Sequence, residues 1–388
     1  MMSLKHSDAI LSFILVAVLA IIICCATILD KMYGTTIAHE EIYESWWFIG
    51  MWAVMALLSI SVCIRKKMWK HVYQMLLHLS LLLMLIGSLF TWLDSQNGRM
   101  TLREGINEFR FVENDSRLVL PLPFSASLVS CDSTSCVVRI IHGTDSCNAE
   151  NIDISLNHPA TIDGYRLFLG SSSPENKIAD ILVNHDVWGC GISYAGYFLF
   201  FIMAIIMLLN NISRYSVPSK KLLLSAIIIV GLAIVYALRW FFGSEPIPAI
   251  LKTSWLVVHV SIIMSAYILF LIIAIMAAKN FLVKSDSKRT SSEKMNRILT
   301  TAILLLSSGI FIGAMWANQS WGTYWSWDPK ESWALITLLV YSIPMHKGLL
   351  SVFSKKRLYD IYILLGFLAV LMTYLGVNYL LGGMHSYV

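Results

Sequence analysis

Nine apolar runs, near 8–29, 45–64, 72–92, 191–210, 221–242, 255–278, 298–315, 334–350 and 360–381, alternate with short polar connections along the chain. Each is about 20 residues long, enough for a helix to cross a hydrocarbon core of about 30 Å. Between the third and fourth runs the pattern changes. Over 94–190, stretches such as "RLVLPLPFSASLVS", "CVVRIIHG", "NIDISLN" and "GYRLFLG" are broken by Pro, Gly, Ser and Asp and read as short strands. The expected fold is an all-α polytopic membrane protein of about nine transmembrane helices with one small inserted β domain. It divides into a three-helix membrane part (1–93), a β-rich domain (94–190) and a six-helix membrane domain (191–388).

Composition agrees, since 57% hydrophobic residues, 14% charged residues and a mean hydropathy of +0.68 exclude a soluble globular domain. The first run is too long for the apolar core of a cleaved signal and has no small-x-small site before Asp30, so it reads as a permanent helix. Charge sets the orientation. Lys5 and the segments 65–71, 211–221, 279–297 and 351–359 hold 17 basic residues, whereas the opposite short loops hold Lys31, Lys252 and Lys330. Basic loops stay cytoplasmic, which puts the N-terminus on the cytoplasmic side of the cytoplasmic membrane and the β domain, the 316–333 loop and the C-terminus on the outer side. The net charge of +5 therefore reflects topology and implies no nucleic-acid partner.

Cys131, Cys136, Cys147 and Cys190 fall in or beside the outward domain, where oxidation is permitted; four cysteines allow three pairings, and the sequence does not choose among them. Cys24, Cys25 and Cys63 fall in helices and read as small apolar residues. The absence of CxxC argues against a thiol–disulfide carrier, and the absence of CxxCH excludes a c-type cytochrome.

Ionisable groups inside a bilayer are expensive and usually functional. His78 and His346 each fall within two turns of the cytoplasmic end of a predicted helix, at a common depth; His259 and His385 fall at the outer ends of two others. Taken singly, each reads as a packed or interfacial imidazole. Two pairs at two depths suit a metal that takes two axial nitrogens, and haem iron is the plain candidate. Zinc would need further ligands at one depth.

The segment "WANQSWGTYWSWDPKESW", 316–333, holds five of the thirteen tryptophans. An interfacial aromatic belt spreads such residues over many helix ends instead of gathering them in one loop. A porphyrin is a flat apolar plate with two carboxylates, so Trp316, Trp321, Trp325, Trp327 and Trp333 are candidates to stack on it. Asn318, Gln319 and Lys330 are candidates for its propionates, while Asp328 and Glu331 shape the loop, Asp328 as a helix N-cap before Pro329.

With these residues the chain resembles the haem-handling proteins of system II (Ccs/Res-type) cytochrome c biogenesis, whose hallmark WWD motif stands here as "WGTYWSWDPKESWALI", with "GVNYLLGGMHSY" similar to their C-terminal signature. "YGTTIAHEEIYESWWFIGMW", "LLHLSLLLMLIG", "GRMTLREG" and "LNHPATIDGYRLFLGSS" resemble the partner subunit, as in a natural fusion that is CcsB-like to about residue 215 and CcsA-like beyond. The resemblance implies a cytochrome c synthase of the haem-lyase type, acting alone or in a complex, that moves haem b across the membrane. His78 and His346 match its inner haem ligands, and His259 and His385 its outer ligands beneath the WWD loop. The implied partners are an apocytochrome c bearing CxxCH and an extracytoplasmic thioredoxin-like thiol reductant. Other readings are a di-haem cytochrome b, a haem exporter without ligation activity, or a solute transporter with a tryptophan lid.

Overall fold

The computed structural model describes residues 4–114, 117–142, 149–213, 253–282 and 288–383. Eight of the nine expected runs are helical there: α1 (Leu4–Tyr33), α2 (Trp46–Arg65), α3 (Val72–Asp94), α4 (Gly189–Ser213), α5 (Ser254–Leu282), α6 (Lys288–Trp321), α7 (Pro329–Met345) and α8 (Lys356–Leu371). The last continues as a wide π-type helix, Met372–Leu381. Seven of these helices are long and apolar enough to cross a membrane. The exception, α7, has 17 residues. The apolar run runs on to 350, but the chain leaves the helix at His346 and turns through 347–350, next to Pro344. The expected helix at 221–242 lies outside the described residues, so nine spans are not established.

The helices are held at close range. A Cβ placed on Gly87 of α3 would collide with the Ser193 hydroxyl of α4 and lie 2.7 Å from the Ser193 amide, so the two backbones meet through a bare glycine. Asp186 fastens the same pair of helices at the β-domain end: its carboxylate accepts from Thr91 Oγ1 at 2.7 Å and from the Gly189 amide at 2.8 Å. We expect Gly87→Leu to pry α3 from α4 and sharply reduce the yield of monodisperse protein in detergent, as read by size-exclusion chromatography.

Residues 96–185 form a single antiparallel sheet of eight strands, ordered β5-β4-β3-β2-β1-β8-β7-β6. They are β1 (Gln96–Arg103), β2 (Glu108–Glu113), β3 (Val119–Cys131), β4 (Ser135–His142), β5 (Ala149–Ser155), β6 (Ala160–Ile162), β7 (Tyr165–Ser173) and β8 (Ile178–His185). Bulges interrupt the ladders at 108/110, 128/130 and 169/171. Each bulge bends its strand, and the sheet curls until β4 and β5 approach β7. Inside the curl lies an apolar core including Leu102, Phe111, Phe124, Ile140, Leu167 and Ile181.

Candidate functional site

His78, in the second turn of α3, and His346, just past the end of α7, lie with ring centroids 6.0 Å apart at an interplanar angle of 76°. Two imidazoles gripping one metal through bonds of roughly 2 Å have centroids about 6 Å apart. Each ring is oriented by its own helix: His78 Nδ1–H donates to the Gln74 carbonyl at 2.7 Å and His346 Nδ1–H to the Ser342 carbonyl at 2.8 Å. Carbonyl oxygens only accept, so both rings carry the proton on Nδ1 and keep the lone pair on Nε2, the nitrogen that could ligate a metal. Phe13 of α1 lies against His346, with centroids 5.8 Å apart.

His259 sits in the second turn of α5 and packs on α6. Its Nδ1–H donates to the Gly309 carbonyl at 2.7 Å, the same tautomer again. A Cβ on Gly313 would lie 2.6 Å from His259 Cε1, so glycine is what lets the ring approach α6 there. Trp316 follows Gly313 by three residues, one turn along the same helix face. His385 lies outside the described residues. Two residues earlier, Gly383 comes back to the loop: a Cβ there would be 2.6 Å from Asp328 Oδ1.

The tryptophan segment is divided between two cores. Trp327 adopts φ 56° and stacks on Tyr43 at 4.4 Å and 8°, while Trp333 Nε1–H donates to Thr27 Oγ1 of α1 at 3.2 Å; both belong to the cluster formed with α1 and α2. Trp325 instead packs on the α5–α6–α8 cluster. Trp316, 5% exposed, meets Trp321 edge to face at 5.2 Å and 76°. Thus one face of Trp327 is covered by Tyr43. The indole N–H groups of Trp316 and Trp325 and the Ser320 hydroxyl are buried with no hydrogen-bond partner among the described residues. Buried donors of this kind are normally satisfied, so these three suit an anionic ligand such as a propionate.

Asn318 is tied into the fold. It is fully buried, and its Oδ1 accepts from Arg166 Nη2 at 2.9 Å while its carbonyl accepts from Arg166 Nη1 at 3.3 Å. Its Nδ2 donates to the Tyr194 hydroxyl at 3.3 Å. Arg166 Nε and Nη2 also donate to Asn184 Oδ1 at 3.1 and 2.6 Å. Asn318 is therefore a joint between the β domain and the end of α6, with its amide already engaged. We expect Asn318→Ala to lose about 1–3 kcal/mol, because the part-buried Arg166 guanidinium forfeits one acceptor and the Tyr194 hydroxyl loses its amide donor; a lowered melting temperature in detergent checks it.

Asp328 caps α7, accepting from the Lys330 amide at 3.1 Å, and Pro329 follows at the first helical position. Glu331 Oε2 accepts from the Ser326 amide at 2.9 Å and from the Ser326 hydroxyl at 3.2 Å, folding the loop onto its own helix. Lys330 Nζ donates to Asn378 Oδ1 at 2.8 Å. Burial holds the Lys330 ammonium below its ordinary value, with Asp328 pulling the other way. Two contributors escaped the sequence reading. His39 Nε2–H donates to the Ser326 carbonyl at 3.2 Å, and Tyr43 supplies the stack under Trp327. Both stand in the motif "YGTTIAHEEIYESWWFIGMW", which signals a family but not a contact.

Residues 191–385, half of the chain, match the family model described as cytochrome C assembly protein. The chain belongs to that family. This agrees with the resemblance to system II cytochrome c biogenesis proteins drawn from the WWD stretch. The match begins at 191 and so includes α4. Relatives of this assembly protein include Protein NrfI of Wolinella succinogenes, 38% identical over 148 residues, which are 36% of this chain and 16% of that protein. The cytochrome c biogenesis protein CcsA of Prochlorococcus marinus is 37% identical over 184 residues, 37% of this chain and 58% of that protein. CcsA of Guillardia theta is 37% identical over 174 residues, 37% of this chain and 57% of that protein. The chain spans less than two thirds of each.

Proposed function

We propose that this assembly protein carries haem b across the cytoplasmic membrane and presents it at the outer face for covalent attachment to the CxxCH segment of an apocytochrome c. The observation that carries the reading is the meeting of His78 and His346, rings 6.0 Å apart and Nδ1-protonated, in a chain of the cytochrome c assembly family. In this reading these two hold incoming haem near the cytoplasmic end. His259 and His385 hold it again beneath the tryptophan segment. Support for the outer site comes from the fixed tautomer of His259 and from the return of residue 383 to Asp328. Trp316 and Trp321 are the candidates for apolar contact with the plate, and the N–H groups of Trp316 and Trp325, the Ser320 hydroxyl and the Lys330 ammonium, which also donates to Asn378, are the candidates for its carboxylates.

Attachment needs each cysteine thiol of CxxCH to add across a vinyl group, sulfur bonding one carbon and the proton going to the other. The chain supplies orientation and axial nitrogens for this; no acid or base is assigned. The histidine of CxxCH takes the place of one outer ligand, which frees the product. A thioredoxin-like reductant outside keeps the thiols available.

The test is co-expression with a CxxCH protein, followed by haem staining after denaturing electrophoresis. Stained cytochrome that depends on this chain supports the synthase; reversible quinol oxidation without covalent haem overturns it in favour of a cytochrome b. Topology is checked separately. A cysteine placed at exposed Asp163 is expected to react with a membrane-impermeant maleimide in sealed cells beyond the wild-type background, and labelling only after lysis contradicts the outward β domain.

A further inference from the structure

Two of the β domain's cysteines, Cys131 and Cys136, face each other across a hairpin and have no part in haem handling. Along β3, Leu122, Phe124, Ala126 and Leu128 alternate into the core, and the bulge at Val129 then inserts one residue. That extra residue turns Cys131 instead of Ser130 toward the core, directly opposite Cys136 of β4. The Asp132 amide donates to the Ser135 carbonyl at 2.9 Å, making 132/135 the hydrogen-bonded pair of the hairpin. The neighbouring pair 131/136 is therefore a non-hydrogen-bonded one, with Cα atoms about 4.5 Å apart and both side chains on one face. A disulfide accepts Cα separations of about 4.4–6.8 Å.

The turn between them is fixed. Asp132 Oδ1 accepts from the amides of Thr134 and Ser135, both at 2.7 Å, and the Asp132 carbonyl accepts from Ser172 Oγ of β7 at 2.6 Å. Those amide bonds hold the Asp132 carboxyl below its ordinary value. Both cysteines are thiols in the structure; Cys136 is buried, while Cys131 is half-buried at the hairpin's edge.

We propose that Cys131 and Cys136 form a reversible dithiol–disulfide couple that exchanges with protein thiols and disulfides of the outer compartment. The couple rests on the outward placement of residues 94–190 proposed above and on nothing about haem. In oxidation, the Cys131 thiolate attacks an incoming disulfide, forming a mixed disulfide and releasing one partner thiolate. Cys136 then gives its proton to solvent and attacks the Cys131 sulfur, releasing the second. Two electrons pass from the pair to the partner, whose disulfide becomes a dithiol. Burial first, then Cys131, Asp132 and Asp153, push the Cys136 thiol up to about 12, so the second step quickens as pH rises. Cys131 stays half-exposed at the hairpin's edge, so the closed bond remains within reach of an attacking thiolate.

Both cysteines lie in one tryptic peptide, 118–139, which makes the test direct. Full-length protein purified in detergent is equilibrated with oxidised glutathione, alkylated in denaturant, digested without reductant and weighed. The expected peptide is unalkylated and two hydrogens lighter, and reduced glutathione returns it to the doubly alkylated form. In Cys131→Ser the light form disappears and Cys136 is alkylated. A link from either cysteine to Cys147 or Cys190, a peptide fully alkylated in oxidising buffer, or a bond that reduced glutathione leaves closed would overturn the couple. Because the protein is out of the membrane, failure speaks to the couple alone and leaves topology to the labelling experiment.

Discussion

His259→Ala should reduce covalent haem attachment to a co-expressed CxxCH protein to below about a hundredth of wild type, since removing even a partner of a metal ligand typically costs 10–100-fold. Added imidazole should restore part of the activity by occupying the vacated axial position. The structure adds a control that the sequence could not suggest. The ring lies in the space left by Gly313, whose Cβ would stand 2.6 Å from His259 Cε1. Gly313→Val displaces the ring and fills that space, so it should lower attachment without rescue by imidazole. His385→Ala should behave like His259→Ala. Full attachment in both histidine variants would remove the outer site.

The second large effect concerns the inner pair. His78→Ala or His346→Ala should each lower co-purified haem by at least about tenfold, and the double variant should be little worse than either, because two ligands of one metal act as a unit. The competing explanation is packing, since both rings already donate to carbonyls of their own helices and His346 meets Phe13. Packing predicts lost thermal stability with wild-type haem content. Haem per protein, measured as the pyridine haemochrome, separates the two outcomes.

How far the sequence carries depends on the range of the interaction. Long apolar runs declare themselves locally, and the eight that fall among the described residues are helical. The strand character of "RLVLPLPFSASLVS" is equally local, and β3 begins within it and ends one residue past it, at Cys131. The sheet order was not legible, because β1 pairs with β8 rather than with β2 alone, and no local pattern encodes a partner some eighty residues away. The end of α7 was overrun for a similar reason: hydropathy counts apolar residues through 350, while the helix stops beside Pro344.

At the site, residue types were legible and allegiances were not. The concentration of tryptophans stood out, but Trp333 finds Thr27 from 306 residues away and Asn318 finds Arg166 from 152. Trp327 and Asn318, candidate haem contacts in the sequence, also tie the loop to α1, α2 and the β domain. The histidines at a common depth were the more transferable signal, since a costly group in a bilayer constrains position without reference to a partner.

The visible spectrum of the detergent-purified protein tests the central claim most directly. Dithionite-reduced wild-type protein should show the sharp bands of low-spin haem with two imidazole ligands, weakened in His78→Ala, His346→Ala and His259→Ala. A well-folded wild-type protein from haem-replete cells with no Soret absorption, or with a spectrum that none of the three substitutions alters, would contradict it.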